Sequence, residues 1–465
     1  MRFIDIFAPI YHRLPEVKTP EVQPPLKRKL IWTGLALVLF FIMGQISIIG
    51  LDSFAAGQLG QLQQILASNI GTIITAGIGP IVLASIILQL LVGGKIIDLD
   101  LSNPADKAKF SGMQKLFAII LSFFEAIIYT MSGFLSPAPG MFIPVMLQVA
   151  LGSIILLYLD EVVSKYGIGS GIGLFIAGGV SQEILWRFFA PPIASVPGGG
   201  NLWQFITSFA TGINFLILVP ALFTILIFLV VVYAEGIHVN IPITMGRKGT
   251  GGRFPVKFLY VSNLPVILTV ALFANIQIIS KIVPSIPAIG QYIAIATNPV
   301  AHFVTSPASS TINPGGSLLN YVVFQISSEG FVNAWSILAP NLLHAFIYAI
   351  IFISFCVIFG KFWVELGGQG PAQVSEQLQK SGMSIPGFRR DPRIIRKILD
   401  RYIPPITIMG SIFVALLAVL ADLTGALGSG TGILLTVGIV YRLYEELAKE
   451  QLMESNILMK KLMGG

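Results

Sequence analysis

The sequence predicts an all-α membrane protein with ten transmembrane helices in two inverted five-helix repeats. Three observations carry that expectation. The 465 residues are 54% hydrophobic and only 11% charged, with a mean hydropathy of +0.83, whereas soluble domains carry about 25% charged residues. Ten apolar runs reach the roughly 20 residues a spanning helix needs. Two short motifs also recur, in the same order, in the two halves of the chain.

The chain opens on a basic, mixed-polarity segment, residues 1–29. Phe3, Ile6, Phe7, Ile10 and Leu14 recur there at helical spacing, as in an amphipathic helix lying along the membrane interface. Pro15, Pro20, Pro24 and Pro25 then break it. The first apolar run is too long for a signal-peptide core and lacks an A-x-A site, so no cleavable signal is expected. Spans are predicted at 30–49, 72–92, 114–134, 141–159, 168–189, 214–235, 258–281, 335–360, 406–423 and 427–446.

Alternate loops differ sharply in charge. One set (1–29, 93–115, 160–167, 236–257, 361–405 and 442–465) holds all but two of the 29 Lys and Arg residues. The positive-inside rule then makes both termini cytoplasmic. The net charge of +7 is mostly a consequence of that topology. Residues 54–67, FAAGQLGQLQQILA, fall on the opposite side. They are uncharged, too polar to span, and apolar at helical spacing, which predicts a short half-polar helix after the first span.

The repeat is read from GSGIGL at Gly169–Leu174 against GSGTGI at Gly428–Ile433, and from PIVL at Pro80 against PVIL at Pro265. In each half the proline motif precedes the glycine motif by three spans. Five spans per half give the halves opposite topology, related by a pseudo-two-fold axis in the membrane plane. Helix packing is an equally good use for these glycines, and neither stretch fits a nucleotide-binding loop.

Reactive constellations do not emerge. The single cysteine, Cys356, excludes a disulfide framework and a thiolate metal site. His12, His238, His302 and His344 are scattered without ligand spacing, so no metal, cofactor or catalytic residue is expected. Mid-span ionisable candidates reduce to Glu125 and His344. That is sparse for an ion-coupled transporter, although an inverted-repeat secondary transporter using Glu125 stays open at this point. Apolar spans suit a pore that closes to ions by dewetting.

Several long stretches are more specific. ITAGIGPIV (74–82), YLDEVVSKYGIGSGIGLFIAGGVSQ (158–182), YVSNLPVILTVALFANIQ (260–277), PGFRR (386–390), RYIPP (401–405) and GSGTGILLTVGIVYR (428–442) resemble the SecY family, the central subunit of the Sec protein-conducting channel, and most closely its archaeal form. The resemblance covers essentially the whole chain. It implies a channel of the plasma membrane that passes secretory polypeptides across and releases membrane proteins sideways into lipid.

The resemblance also implies roles for particular residues. The 54–67 helix would plug the pore, with Phe54, Leu59, Leu62 and Leu66 on its apolar face. Ile78, Val82, Ile172, Ile176, Ile267 and Leu435 would form the pore ring. Glu125 and Asn275 would sit at the lateral gate, where Leu83 replaces a threonine of archaeal relatives and Ser85 is an alternative polar member. Arg247, Lys248, Arg253, Lys257, Arg389 and Arg390 would bind ribosomal RNA phosphates. The implied partners are SecE-like and Sbh/SecG-like small subunits, the ribosome, signal sequences and nascent polypeptides, and the lipid bilayer. The implied organisation is an N-terminal half at 30–189, an external hinge at 190–213, and a C-terminal half at 214–446 with an external loop at 282–334. A cytoplasmic tail follows at 447–465. A membrane scaffold that merely binds ribosomes is a further reading these features leave open.

Overall fold

The computed structural model describes most of the chain between residues 13 and 455. Residues 1–8, 10–12, 55–68, 100–103, 193–198, 246–249, 274–341, 385–391, 456–465 and a few shorter stretches lie outside the described residues. The N-terminal amphipathic helix and the external loop at 282–334 therefore fall outside them. Two compact units divide the chain: residues 1–181 with 439–465, and residues 182–438.

Helix occurs at all ten predicted spans. In order, the elements are α1 (Leu26–Met43), β1 (Leu51–Phe54), α2 (Gly79–Gly93), α3 (Pro104–Met131), β2 (Leu135–Pro137), α4 (Phe142–Tyr166), α5 (Gly171–Phe189), α6 (Asn201–Thr211) and α7 (Val219–Gly236). The strands β3 (His238–Met245) and β4 (Thr250–Lys257) follow. Residues 265–270 are helical at the seventh span, and α8 (Ala345–Glu365) stands at the eighth. The chain then forms α9 (Pro371–Lys380), β5 (Met383–Ser384), α10 (Pro392–Thr424) and α11 (Gly430–Ser455). Among the described residues, five helices are long and apolar enough to cross a membrane: α3, α4, α7, α8 and α10.

In the first unit α3 packs between α2 and α4, and α1 lies on α4. Phe40 of α1 stacks on Phe175 of α5, centroids 5.1 Å apart. The second span departs from the expected 72–92 helix. Residues 72–78 form turns, buried from Ile74 onward, and regular helix begins only at Gly79. Such irregular backbone is tolerated at membrane depth because protein, rather than lipid, satisfies its polar groups. Ile73 N–H donates to Ile46 O at 3.0 Å, Ile48 N–H to Gly71 O at 3.0 Å, and Asn69 Nδ2 to Gly44 O at 2.9 Å. Gly152 of α4 permits the approach, because any Cβ there would collide with the carbonyl oxygen of Ile73.

In the second unit α7 shows what its surroundings must be. Pro220, Thr224, Ile227, Val231 and Ala234 are buried, whereas Leu222, Ile225, Leu226 and Leu229 project outward. An apolar stripe of this size exposed to water would drive association; facing lipid it is at home. Phe273 of the seventh span is ringed by Tyr348, Phe352 and Phe355 of α8 at 5.8–6.4 Å.

Three predicted loops are more ordered than their composition suggests. The 236–257 loop is an antiparallel hairpin of eight residue pairs, His238↔Lys257 to Met245↔Thr250. The 361–405 loop contains α9, β5 and the first turns of α10. That helix enters at Pro392 and runs through Pro404 and Pro405, where each ring removes a backbone donor. It continues because Ile395, Leu399, Ile403 and Ile406 repeat at helical spacing and join a core with Val256, Trp363, Val374 and Leu378. The connection at 190–213 contains α6. The all-α class stands, with short strands added at the ends of the spans.

Candidate pore, gate and docking residues

The four candidate ring residues of the first unit form two one-turn pairs. Ile78 sits one residue before α2, and its carbonyl already accepts the Val82 N–H at 3.0 Å, so Ile78 and Val82 share a face. Ile172 and Ile176 stand four apart on α5, which stacks them likewise. None of the four is exposed: Ile78 and Ile176 are buried, Val82 and Ile172 half-buried. In the second unit Leu435 is buried and Ile267 half-buried. The outward aliphatics of α7 differ sharply, with Leu222 62% exposed.

The α5 pair is held by a local device. After Gly169, whose φ of +71° suits glycine, the helix opens at Gly171, and Ile172 N–H donates to Asp160 Oδ1 of α4 at 2.9 Å. α11 likewise opens at Gly430, the same position of its own GSG motif. Pro80 lies in the first turn of α2, where proline lacks only a donor the helix would leave unused, and Pro265 lies in the helix of the seventh span. The internal repeat thus shows in the matched openings of α5 and α11.

The plug candidates are divided. Phe54 lies on β1, opposite Leu135 of β2, so the predicted helix does not begin at residue 54: the backbone there is extended, and pairing with β2 overrides the helical spacing. Leu59, Leu62 and Leu66 lie outside the described residues. Both flanks are tied down, β1 by β2 and residues 69–73 by residues 44–48.

Glu125 lies on α3, one turn before the buried Tyr129, and its Oε2 is buried without a hydrogen-bond partner among the described residues. Asn275 lies outside them. Ser85 accepts a 3.0 Å hydrogen bond from Gln89 Nε2, and Leu83 is half-buried.

Of the docking candidates, Arg253 lies on β4 opposite Pro242, and the half-buried Lys257 opposite His238. Arg247, Lys248, Arg389 and Arg390 lie outside the described residues. One relationship was not legible in the sequence: β5 pairs with the tip end of β3 (Thr244↔Ser384, Met245↔Met383). A single three-stranded sheet, β4-β3-β5, therefore joins the two basic loops. The only hint was alternation in HVNIPITM and TGGRFPVK. No cluster of three metal-ligating side chains occurs among the described residues.

Helical spans opened by matched motifs in two halves, with an aliphatic set withheld from the outward surface, define a multi-pass membrane protein built on an internal repeat. The SecY family profile matches residues 72–444. The SecY protein translocase subunit of Methanothermobacter thermautotrophicus is 46% identical over 471 residues, covering 98% of each chain. A solved protein-conducting channel superimposes with a TM-score of 0.74 at 43% identity, covering 96% of this chain and 98% of that one. Sec61 from a canine ribosome–channel complex of the endoplasmic reticulum gives 0.72 at 42%, covering 96% and 97%.

The chain belongs to the SecY family. It is a multi-pass protein of the plasma membrane and a protein-conducting channel, not an enzyme. The secondary-transporter reading gives way to that membership.

Proposed function

We propose that Ile78, Val82, Ile172, Ile176, Ile267 and Leu435 form the constriction through which a translocating polypeptide passes. The observation that carries this reading is the stacking of Ile78/Val82 and Ile172/Ile176 as one-turn pairs that avoid the exposed surface. Branched aliphatic side chains yield around a moving chain yet give water and ions no partner. Residues 54–67, between segments tied down on both sides, act as the plug. The 190–213 connection between the halves, 30–189 and 214–446, acts as the hinge.

Both termini face the cytoplasm. There the β3–β4 hairpin and the loop after β5 present Arg247, Lys248, Arg253, Lys257, Arg389 and Arg390 to ribosomal RNA. The sheet that joins these loops supports a single docking face, and the ribosome-bound Sec61 relative supports the partner. SecE-like and Sbh/SecG-like subunits complete the complex. Glu125 and Asn275 lie along the lateral gate, from which signal sequences leave for the bilayer.

Site-specific crosslinking of a stalled secretory chain tests the ring. Photoreactive groups at positions 78, 172, 267 and 435 should each capture the nascent chain, and one at Leu222 should capture lipid. A chain that reaches none of the four positions removes the assignment.

A further inference from the structure

Helix α6 is fixed at the level where two spanning helices end. Gly200 N–H donates to Ala190 O just beyond α5 at 2.7 Å, and a Cβ on Gly200 would meet Phe188 O at 2.6 Å. Asn201 Nδ2 donates to Ile217 O at 3.0 Å, immediately before α7. The helix is therefore held across the tops of α5 and α7 rather than carried on a free loop. Phe205, half-buried, lies 5.2 Å from Phe209 and 6.0 Å from Phe215.

What α6 turns outward is apolar. Trp203 is 39%, Ile206 48% and Phe209 60% exposed, and Phe215 of the following turn is 69% exposed. Residues 199–218 contain no charged side chain. Phe215 leads in sequence into α7, whose Leu222, Ile225 and Leu229 are likewise exposed, and Leu185, Trp186 and Phe189 are exposed at the end of α5, to which Gly200 is hydrogen-bonded. A helix meant for water would carry charge on this face. A helix meant for mid-bilayer would not lie across two helix ends with Asn201, Gln204, Thr207 and Ser208 along it. Tryptophan is favoured at the water–lipid boundary, and tryptophan, phenylalanine and aliphatic side chains form the buried face of helices that lie in it.

We propose that α6 is an interfacial lipid anchor: its Trp203–Ile206–Phe209 face embeds in the boundary between headgroups and acyl chains, about 5–10 Å deep as such helices lie, and fixes the connection between residues 190 and 213 to the bilayer surface. The occupant of this face is lipid: Asn201 ties α6 to the start of α7, whose exposed aliphatic stripe faces lipid, and that tie decides for lipid over a protein partner.

The test uses the full chain, assembled with its small subunits in vesicles of phosphatidylethanolamine and phosphatidylglycerol. In a Cys356→Ser background, spin labels are placed through Ile206→Cys and Phe209→Cys, with Leu229→Cys as the lipid reference and Val22→Cys, 80% exposed in the N-terminal segment, as the water reference. Collision with oxygen and with a water-soluble nickel chelate is then measured. Positions 206 and 209 should favour oxygen, at a depth shallower than 229. Chelate access equal to that at 22 overturns the proposal in favour of a solvated helix. Inaccessibility to both reagents overturns it in favour of a covering subunit, and a depth equal to 229 overturns the interfacial placement. An unlabelled readout guards against a label that disturbs folding: quenching by lipids brominated near the headgroup should lose a component in Trp203→Phe, and an unchanged quenching profile counts against the anchor.

Discussion

The ammonium of Lys29 lies 2.7 Å from Glu450 Oε1, joining the first turn of α1 to the far end of α11 across 421 residues of sequence. Lys29 is 8% exposed. A sheltered cation that loses its carboxylate keeps its desolvation cost and loses much of what offset it. Glu450→Gln should therefore lower stability by about 1–2 kcal/mol, read as a lower thermal midpoint of the purified complex. Lys29→Met combined with Glu450→Leu should recover most of that loss, since an apolar pair avoids desolvating charge. Equal midpoints for Glu450→Gln and the parent chain would show that the pair contributes nothing.

A second charge cluster straps the N-terminal segment to the ends of α3 and α4. Lys115 pairs with Glu161 at 2.7 Å, and Lys165 with Glu161 at 3.0 Å and Glu16 at 2.8 Å. Lys115 Nζ also donates to Pro15 O, and Tyr166 Oη to Lys18 O, each at 2.8 Å. The hydrogen bond from Lys165, followed by the charges of Lys165 and Lys115, holds the Glu16 carboxyl below its ordinary 4.5. A depressed carboxylate supports the folded arrangement above its unfolded pKa, and that support is lost as pH falls through the folded value. Hydrogen exchange of residues 15–18, corrected for intrinsic rates, should lose protection as pH drops below about 4.5. Glu16→Gln should show the weaker protection at every pH. Equal protection of the two chains at neutral pH counts against the strap.

Removing residues 54–67 tests the plug separately from the ring. Vesicles containing the shortened chain should conduct ions, because a dry aliphatic constriction alone is thin, whereas the full chain should stay shut. Equal conductance in both would leave the segment without a sealing role.

Ribosome docking should show the salt dependence of phosphate contacts. Arg389→Glu with Arg390→Glu should weaken binding of empty ribosomes and reduce the slope of log affinity against log salt by about 0.7–0.9 for each lost contact. The channel's resting conductance should not change. An unaltered slope would remove these arginines from the interface.

Much of this molecule could be read from the chain alone, and the reason is the solvent. Lipid satisfies no backbone hydrogen bond, so an apolar run of about 20 residues has few alternatives to helix. That is why α3, α4, α7, α8 and α10 occur where hydropathy places them. The ring candidates were named through the family resemblance of the long motifs, which no periodicity argument supplies, and their role is a proposal. Failures cluster outside the lipid. Phe54 has helical spacing with Leu59 and Leu62 yet lies on β1, because Leu135 offers a strand partner from 81 positions further along the chain. Ser384 pairs with Thr244 across an even longer interval. Local pattern carries no information about either partner.

The number, positions and helical nature of the spans, and the repeat that relates them, follow from the amino-acid order itself, because hydrocarbon leaves each span to satisfy its own backbone. Tertiary structure alone decided that residues 72–78 turn rather than coil, that α10 runs through two prolines, and that the two basic loops share one sheet. In each case the deciding partner, Ile46, the core around Leu399 or Thr244, is remote in sequence, and hydrogen bonding or burial between distant segments outweighs the preference of the local stretch.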